Sequence, residues 1–172
     1  MSFLDLAKTR KSVRRFKDKT ISDEMIKMLL KAAKSAPSAG NCQPWMFYVI
    51  KNAELIRAIA EESLGQKFAG TAPLMIVVCA DAPRSAARYA ERGQSLYCIQ
   101  DTAAAIQNIL LCAHDIGLGA CWCGAFDEAD VAKKLDLPES LRPVALLPIG
   151  YPAQIPTPRI RRPISEISVF IE

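Results

Sequence analysis

The sequence predicts an α+β fold in which helices flank a central sheet and an extended C-terminal arm leaves the body. Three observations lead there. Compact β-type runs at 46–50, 74–80 and 144–149 are separated by segments of helical periodicity, a long helical stripe covers about 94–116, and the tail after 151 is rich in proline. A chain of 172 residues suits one domain spanning 1–172, and at that length roughly 70% of the unfolded surface becomes buried. No internal repeat divides it.

Taken in order, Ser2 caps a helix reaching about Thr9, with Asp5 in its first turn. Ser22 caps a second, whose Ile26, Leu29, Leu30 and Ala33 form an amphipathic stripe that Pro37 ends. Met46–Ile50 reads as a strand, Asn52 caps a helix to about Glu62, and Leu74–Ala80 is apolar enough for a buried strand. The segment Asp81–Gln94 gives no clear signal. Leu96, Ile99, Ala103, Ile106, Ile109, Leu110 and Ala113 make the long central helix, and Gly117-Leu118-Gly119 reads only as its stop. A short strand at 120–122, a helix from Asp127 to about Leu135 and the strand Val144–Ile149 follow, with Pro138 and Pro143 bracketing the intervening loop. The tail carries Pro152, Pro156, Pro158 and Pro163 before an apolar end, Ile167–Ile171. Such an arm needs a surface to dock on, either its own body or a partner subunit.

Composition narrows the function. Hydrophobic residues make up 51% and charged residues 23%, ordinary for a globular protein. The net charge is +4, but seven cations lie in two clusters, Arg10/Lys11/Arg14/Arg15 and Arg159/Arg161/Arg162, and without those seven the rest carries −3. Two short basic segments suit a small anion such as a phosphate, whereas a nucleic acid needs phosphate contacts along a surface. No stretch approaches the ~20 apolar residues of a membrane span, so a cytoplasmic protein with no membrane or nucleic-acid partner is expected. Six cysteines without a signal peptide read as free thiols.

Several chemistries lack their residues. There is no Gly-x-Gly-x-x-Gly fingerprint and no Walker-type loop. The single histidine, His114, lies inside the long helix and reads as a packed or partly exposed helix residue, not as the base of a hydrolase. Cys121 and Cys123 are expected on opposite faces of a strand, and no Cys-x-x-Cys pair exists to complete a metal site, so no metal is expected.

Four stretches carry a specific pattern: Arg10-Lys11-Ser12-Val13-Arg14-Arg15-Phe16, Pro37-Ser38-Ala39-Gly40-Asn41-Cys42-Gln43-Pro44-Trp45, Gly119-Ala120-Cys121-Trp122-Cys123-Gly124-Ala125-Phe126, and Arg159-Ile160-Arg161-Arg162-Pro163. In this order, from Arg10 to Glu166, they resemble the nitroreductase family of FMN-dependent oxidoreductases. The resemblance implies that family's fold, a mostly antiparallel central sheet flanked by helices, and a homodimer with tightly bound FMN at the interface. Arginine forks and a hydroxyl supply charge-assisted bonds to a phosphate monoester. Arg10, Ser12 and Arg14, with Arg159 and Arg161 from the other end, are the residues the resemblance assigns to the FMN phosphate; Lys11 keeps the charge but not the fork of the arginine many relatives carry there. It further assigns Asn41 and Gln43 to the isoalloxazine or ribityl chain, Pro37 and Ser38 to the flavin held mainly by the other subunit, and the backbone of Cys123 and Gly124 to a contact with flavin N5. Trp45 reads as core.

The resemblance also implies the reaction. NAD(P)H would reduce FMN and a small-molecule acceptor, a nitroaromatic or a quinone, would reoxidise it in the same pocket with ping-pong kinetics, the chemistry residing on the cofactor so that no catalytic side chain is required. Two alternatives stay open: the same fold and FMN with another flavin reaction, such as dehalogenation or ring oxidation, and a non-catalytic FMN-binding module.

Overall fold

Short polar side chains start five of the helices. In the computed structural model, which describes residues 2–172, α1 (Phe3–Thr9) opens on a reciprocal capping box between Ser2 and Asp5. Ser22, Asn52 and Asp127 cap α2 (Asp23–Lys34), α3 (Ala53–Glu61) and α6 (Glu128–Lys134), each side-chain oxygen accepting a first-turn N–H at 2.9–3.3 Å. The fifth, Asp81, caps a helix that sequence periodicity does not announce, α4 (Ala82–Arg92). Only Ser85 of α4 is buried, so it has no apolar stripe to read.

The sheet holds β1 (Trp45–Ile50), β2 (Leu74–Asp81), β3 (Gly119–Ala120) and β4 (Leu141–Gly150) in the order β1-β2-β4-β3, every pairing antiparallel. Residues of β2 alternate between two cores. Leu74, Ile76 and Val78 face α2 and α5 (Cys98–Asp115), whereas Met75, Val77 and Cys79 face α3 and the Val131 side of α6. With helices on both sides, the whole run from Leu74 to Ala80 is fully buried. Trp45 packs on the first core, as expected of it.

Three elements differ from their sequence reading. A π-helical turn at Gly93–Tyr97 precedes α5, which therefore begins later than expected. β3 is two residues long, Gly119–Ala120, although the Cys121 N–H still donates to Pro148 O of β4 at 3.3 Å. β4 starts at Leu141 and includes Pro143 within the strand. This is possible because the register shifts between Val78 and Cys79, opposite Ala145 and Pro143 respectively, which leaves Val144 as the extra residue of a bulge.

The N-terminal basic segment lies along the β3 edge. Val13 N–H donates to Ala120 O at 3.0 Å, Lys17 N–H to Tyr151 O at 2.8 Å and Ala153 N–H to Arg15 O at 2.9 Å. Two paired glycines admit it. A Cβ on Gly119 would lie 2.6 Å from Val13 Cγ2, and one on Gly150 would lie 2.9 Å from Phe16 Cδ1. Gly119 is thus more than a helix stop, the role that belongs to Gly117 at φ 81°.

Gly119→Ala should cost about 1–3 kcal/mol of stability, because the β-branched Val13 cannot rotate away from the added methyl. Urea unfolding measures it, and the same variant should loosen the Arg10–Phe16 segment.

Candidate functional site

The backbone bonds at 13–17 set the basic side chains of one end of the chain beside the start of the arm. Just beyond, the arm returns with Arg159 and Arg161. The two clusters converge on a cleft of about 960 Å³, within the roughly 300–1,000 Å³ of small-molecule and cofactor sites. Lys8, Arg10, Lys11, Arg14 and Arg15 line it from one side and Arg159 and Arg161 from the other, with Ser12 and Thr157 hydroxyls between them. No carboxylate lines it among the described residues. Arg10, Lys11 and Ser12 are half-buried, and Arg14, Arg159 and Arg161 are exposed. Seven cations around one cleft without an acid repel one another, and a phosphate dianion with several acceptor oxygens fits that donor set.

The loop after α2 is built apart from this cleft. Pro37, Ser38, Asn41 and Gln43 do not line it. Asp101, in the first turn of α5, accepts the Ala39 N–H at 3.1 Å, while His114, at the other end of the same helix, lies 2.9 Å from Thr9 Oγ1 beside Arg10. Thirteen residues of helix separate the two anchors, a rise of roughly 20 Å at about 1.5 Å each. Within the loop, Ser38 Oγ accepts from Gln43 N–H at 3.0 Å and Gln43 Nε2 donates to Asn41 Oδ1 at 3.3 Å. Arg84 Nε donates to Cys42 O at 2.6 Å and Arg88 Nη1 to Gly40 O at 3.1 Å. Arg84, Arg88 and Asp101 were not among the residues read from the sequence. A stripe of arginines at 84, 88 and 92 is visible there, but only the fold shows which carbonyls it meets.

The third candidate stretch divides between its two residues. Cys123 is fully buried and exchanges both backbone hydrogen bonds with Leu146, N–H to O at 2.9 Å each way, so its N–H is not available to a ligand. Gly124 next to it is exposed and makes no hydrogen bond among the described residues, so its N–H, unlike that of Cys123, is open to a ligand. The two thiols share a face, contrary to expectation. Residues two apart on an extended segment project to the same side, and the two thiols influence each other's ionisation. The neighbouring Cys123 thiol, opposed by burial and helped by Arg14 and the Ser12 hydroxyl, draws the Cys121 thiol down, while the Cys121 thiol and burial push Cys123 up. Ser12 bridges Ala120, the residue before Cys121, which sets the basic segment beside that thiol.

Two helix residues complete the electrostatics. Burial pushes the Asp101 carboxyl up, against the Ala39 N–H that favours its charge. Burial lowers the His114 imidazole, and the positive charge of Arg10 and Lys11 lowers it further against Asp115. His114 is a partly exposed helix residue holding Thr9, in keeping with its reading from sequence.

A four-stranded antiparallel sheet wrapped by helices, with a basic cleft at one edge that no carboxylate lines among the described residues, defines an α+β protein whose cleft has the donor set for a small anion. The chain belongs to the nitroreductase family, whose model matches residues 7–67 and 60–151, and is an oxidoreductase. It is 36% identical over 163 residues to a Methanothermobacter thermautotrophicus protein named as an NADH dehydrogenase/NAD(P)H nitroreductase, covering 92% of this chain and 82% of that one. It is 31% identical to an iodotyrosine deiodinase of Thermotoga neapolitana, covering 96% and 95%. The crystal structure of a nitroreductase family protein from Streptococcus pneumoniae superposes with a TM-score of 0.90 at 27% identity, covering 99% of this chain and all of that one.

Because the folded protein holds His114 neutral more readily than the unfolded chain does, acid costs stability. This contribution should be intact above pH ~6.5, the ordinary histidine value, and should fall away as the pH drops through the lower folded value. His114→Gln should flatten that part of a stability profile measured between pH 7.5 and 5.

Proposed function

We propose that the protein is an FMN-dependent NAD(P)H oxidoreductase that works as a cytoplasmic homodimer. The observation that carries this reading is the convergence of two basic segments, from opposite ends of the chain, on one cleft without a carboxylate. Arg10, Ser12, Arg14, Arg159 and Arg161 would hold the FMN phosphate, with Lys11 as an added point charge. Gly124 would donate its exposed N–H toward the isoalloxazine near N5, and its lack of a side chain lets the ring come close. FMN, when bound, supplies the two-electron chemistry between NAD(P)H and an acceptor of the nitroaromatic or quinone class. The chain's part is to orient that group and to balance its charge.

The dimer rests on two features. The loop carrying Pro37, Ser38, Asn41 and Gln43 stands roughly 20 Å of helix rise from the basic cleft of its own chain, so the loop of a second copy is suited to meet the ring of a flavin held here. The arm is the other feature. Ile155, Ile160, Ile164, Ile167, Val169, Phe170 and Ile171 are between 62% and 100% exposed, and burying each on a partner would contribute about 1.5–3 kcal/mol. None of the described helices is long and apolar enough to cross a membrane.

A second reaction is favoured by a specific observation. The relative named iodotyrosine deiodinase is similar over nearly the whole chain, so reductive dehalogenation on the same flavin site competes with nitro or quinone reduction. Steady-state assays against nitroaromatic, quinone and haloaromatic acceptors separate the two.

Purified protein should show a flavin absorption spectrum that NADH or NADPH bleaches; a preparation that stays colourless after FMN is added sinks the proposal. Arg161→Ala should weaken FMN binding by about tenfold to a hundredfold, the loss of one bond between charged groups, measured by flavin fluorescence. In sedimentation, the wild type should run as a dimer and Ile160→Asp with Phe170→Asp should shift it toward folded monomer, whereas a monomeric flavin-loaded wild type would contradict the shared site.

A further inference from the structure

The Pro37–Trp45 loop holds three residues in the left-handed region: Gly40 at φ 53°, Asn41 at φ 57° and Gln43 at φ 51°. Asparagine tolerates that region, but glutamine adopts it rarely, so the conformation persists only where its surroundings impose it. Three side chains from outside the loop do so. Arg84 and Arg88 of α4 donate to the carbonyls of Cys42 and Gly40, which bracket Asn41, and the buried Asp101 of α5 accepts the Ala39 N–H with both oxygens at 3.1 and 3.2 Å. Neither arginine makes an ion pair among the described residues, so its charge is directed at the loop carbonyls. Contact at Gly40 is close enough that a Cβ there would lie 2.5 Å from Tyr89 Oη and 2.7 Å from Arg88 Nε.

We propose that Arg84, Arg88 and Asp101 are positioning residues, a three-point clamp that fixes the backbone of 39–43 so that the Asn41 and Gln43 amides face the flavin. The inference rests on the flavin reading above and gives α4 its role. The carbonyls of Gly40 and Cys42 are held by the arginines and the Ala39 amide by Asp101, so the left-handed run is fixed at three points from two helices. α4 can serve this way because it is otherwise little buried, leaving its arginines facing outward to the loop.

Hydrogen–deuterium exchange on FMN-free protein tests the clamp without the cofactor. In Arg84→Ala and Arg88→Ala, amides 39–43 should exchange at least about tenfold faster than in wild type. In Arg92→Ala, whose Nε reaches Tyr97 Oη at 2.9 Å instead of the loop, they should not. FMN should then bind about tenfold more weakly to the first two variants, with a shifted flavin absorption band. Arg84→Lys, which keeps the charge and a donor, should fall between Arg84→Ala and wild type in both measurements. Wild-type exchange at 39–43 in Arg84→Ala and Arg88→Ala, or unchanged FMN affinity and spectrum once exchange has risen, overturns the clamp. A wild type that binds no FMN overturns the flavin reading instead.

Discussion

The backbone pairing of residues 13–17 with Ala120 and with Tyr151–Ala153 is the constraint on which the site depends. It brings the two termini together across the short edge of the sheet, and it forms only because Gly119 and Gly150, opposite each other in β3 and β4, present no side chain to Val13 and Phe16. Val13 then fills the core while its neighbours Ser12 and Arg14 face the cleft side. One extended segment thus packs on the body through Val13 and lines the basic cleft through its neighbours. The edge strand β3 is short, and the covering segment also protects it from pairing with another sheet.

Electrostatics makes that arrangement costly without a ligand. Seven cations share one cleft, while acidic residues are engaged elsewhere: Glu128 with Arg142, Glu62 with Lys134, Asp23 with Lys51 and the buried Asp101 with the Ala39 N–H. Their mutual repulsion is tempered by solvent, since most are exposed. A phosphate bound among them would relieve it and stabilise the folded state by mass action. Burial is the main cause of the lowered His114, and the neighbouring Cys123 of the lowered Cys121; the positive charge of Arg10 adds to each in the same direction, and that of Arg14 to Cys121.

The loop at 37–45 and the arm make the complementary argument. Each is well defined in backbone but incomplete as a packing unit: the loop holds strained residues against α4 and α5, and the arm carries apolar side chains with little of its own body beneath them. A shared site between two copies would make use of both at once.

The sequence by itself determined the capped starts of α1, α2, α3 and α6, the doubly buried β2, the core role of Trp45, the two basic clusters and, through four motif stretches, the family. These are local properties: a cap needs its own first turn, a stripe needs only its period, and a charge cluster is visible as neighbours in the chain. Tertiary structure decided the rest. α4 has no stripe because its partners are the carbonyls of a loop some forty residues earlier. Pro143 joins β4 because a bulge across the sheet absorbs it, and Cys123 loses its N–H to Leu146 while Gly124 keeps its own. Whether two basic segments about 145 residues apart meet at one cleft depends on the pairing of 13–17 with 151–153, and no local pattern encodes a contact between chain ends.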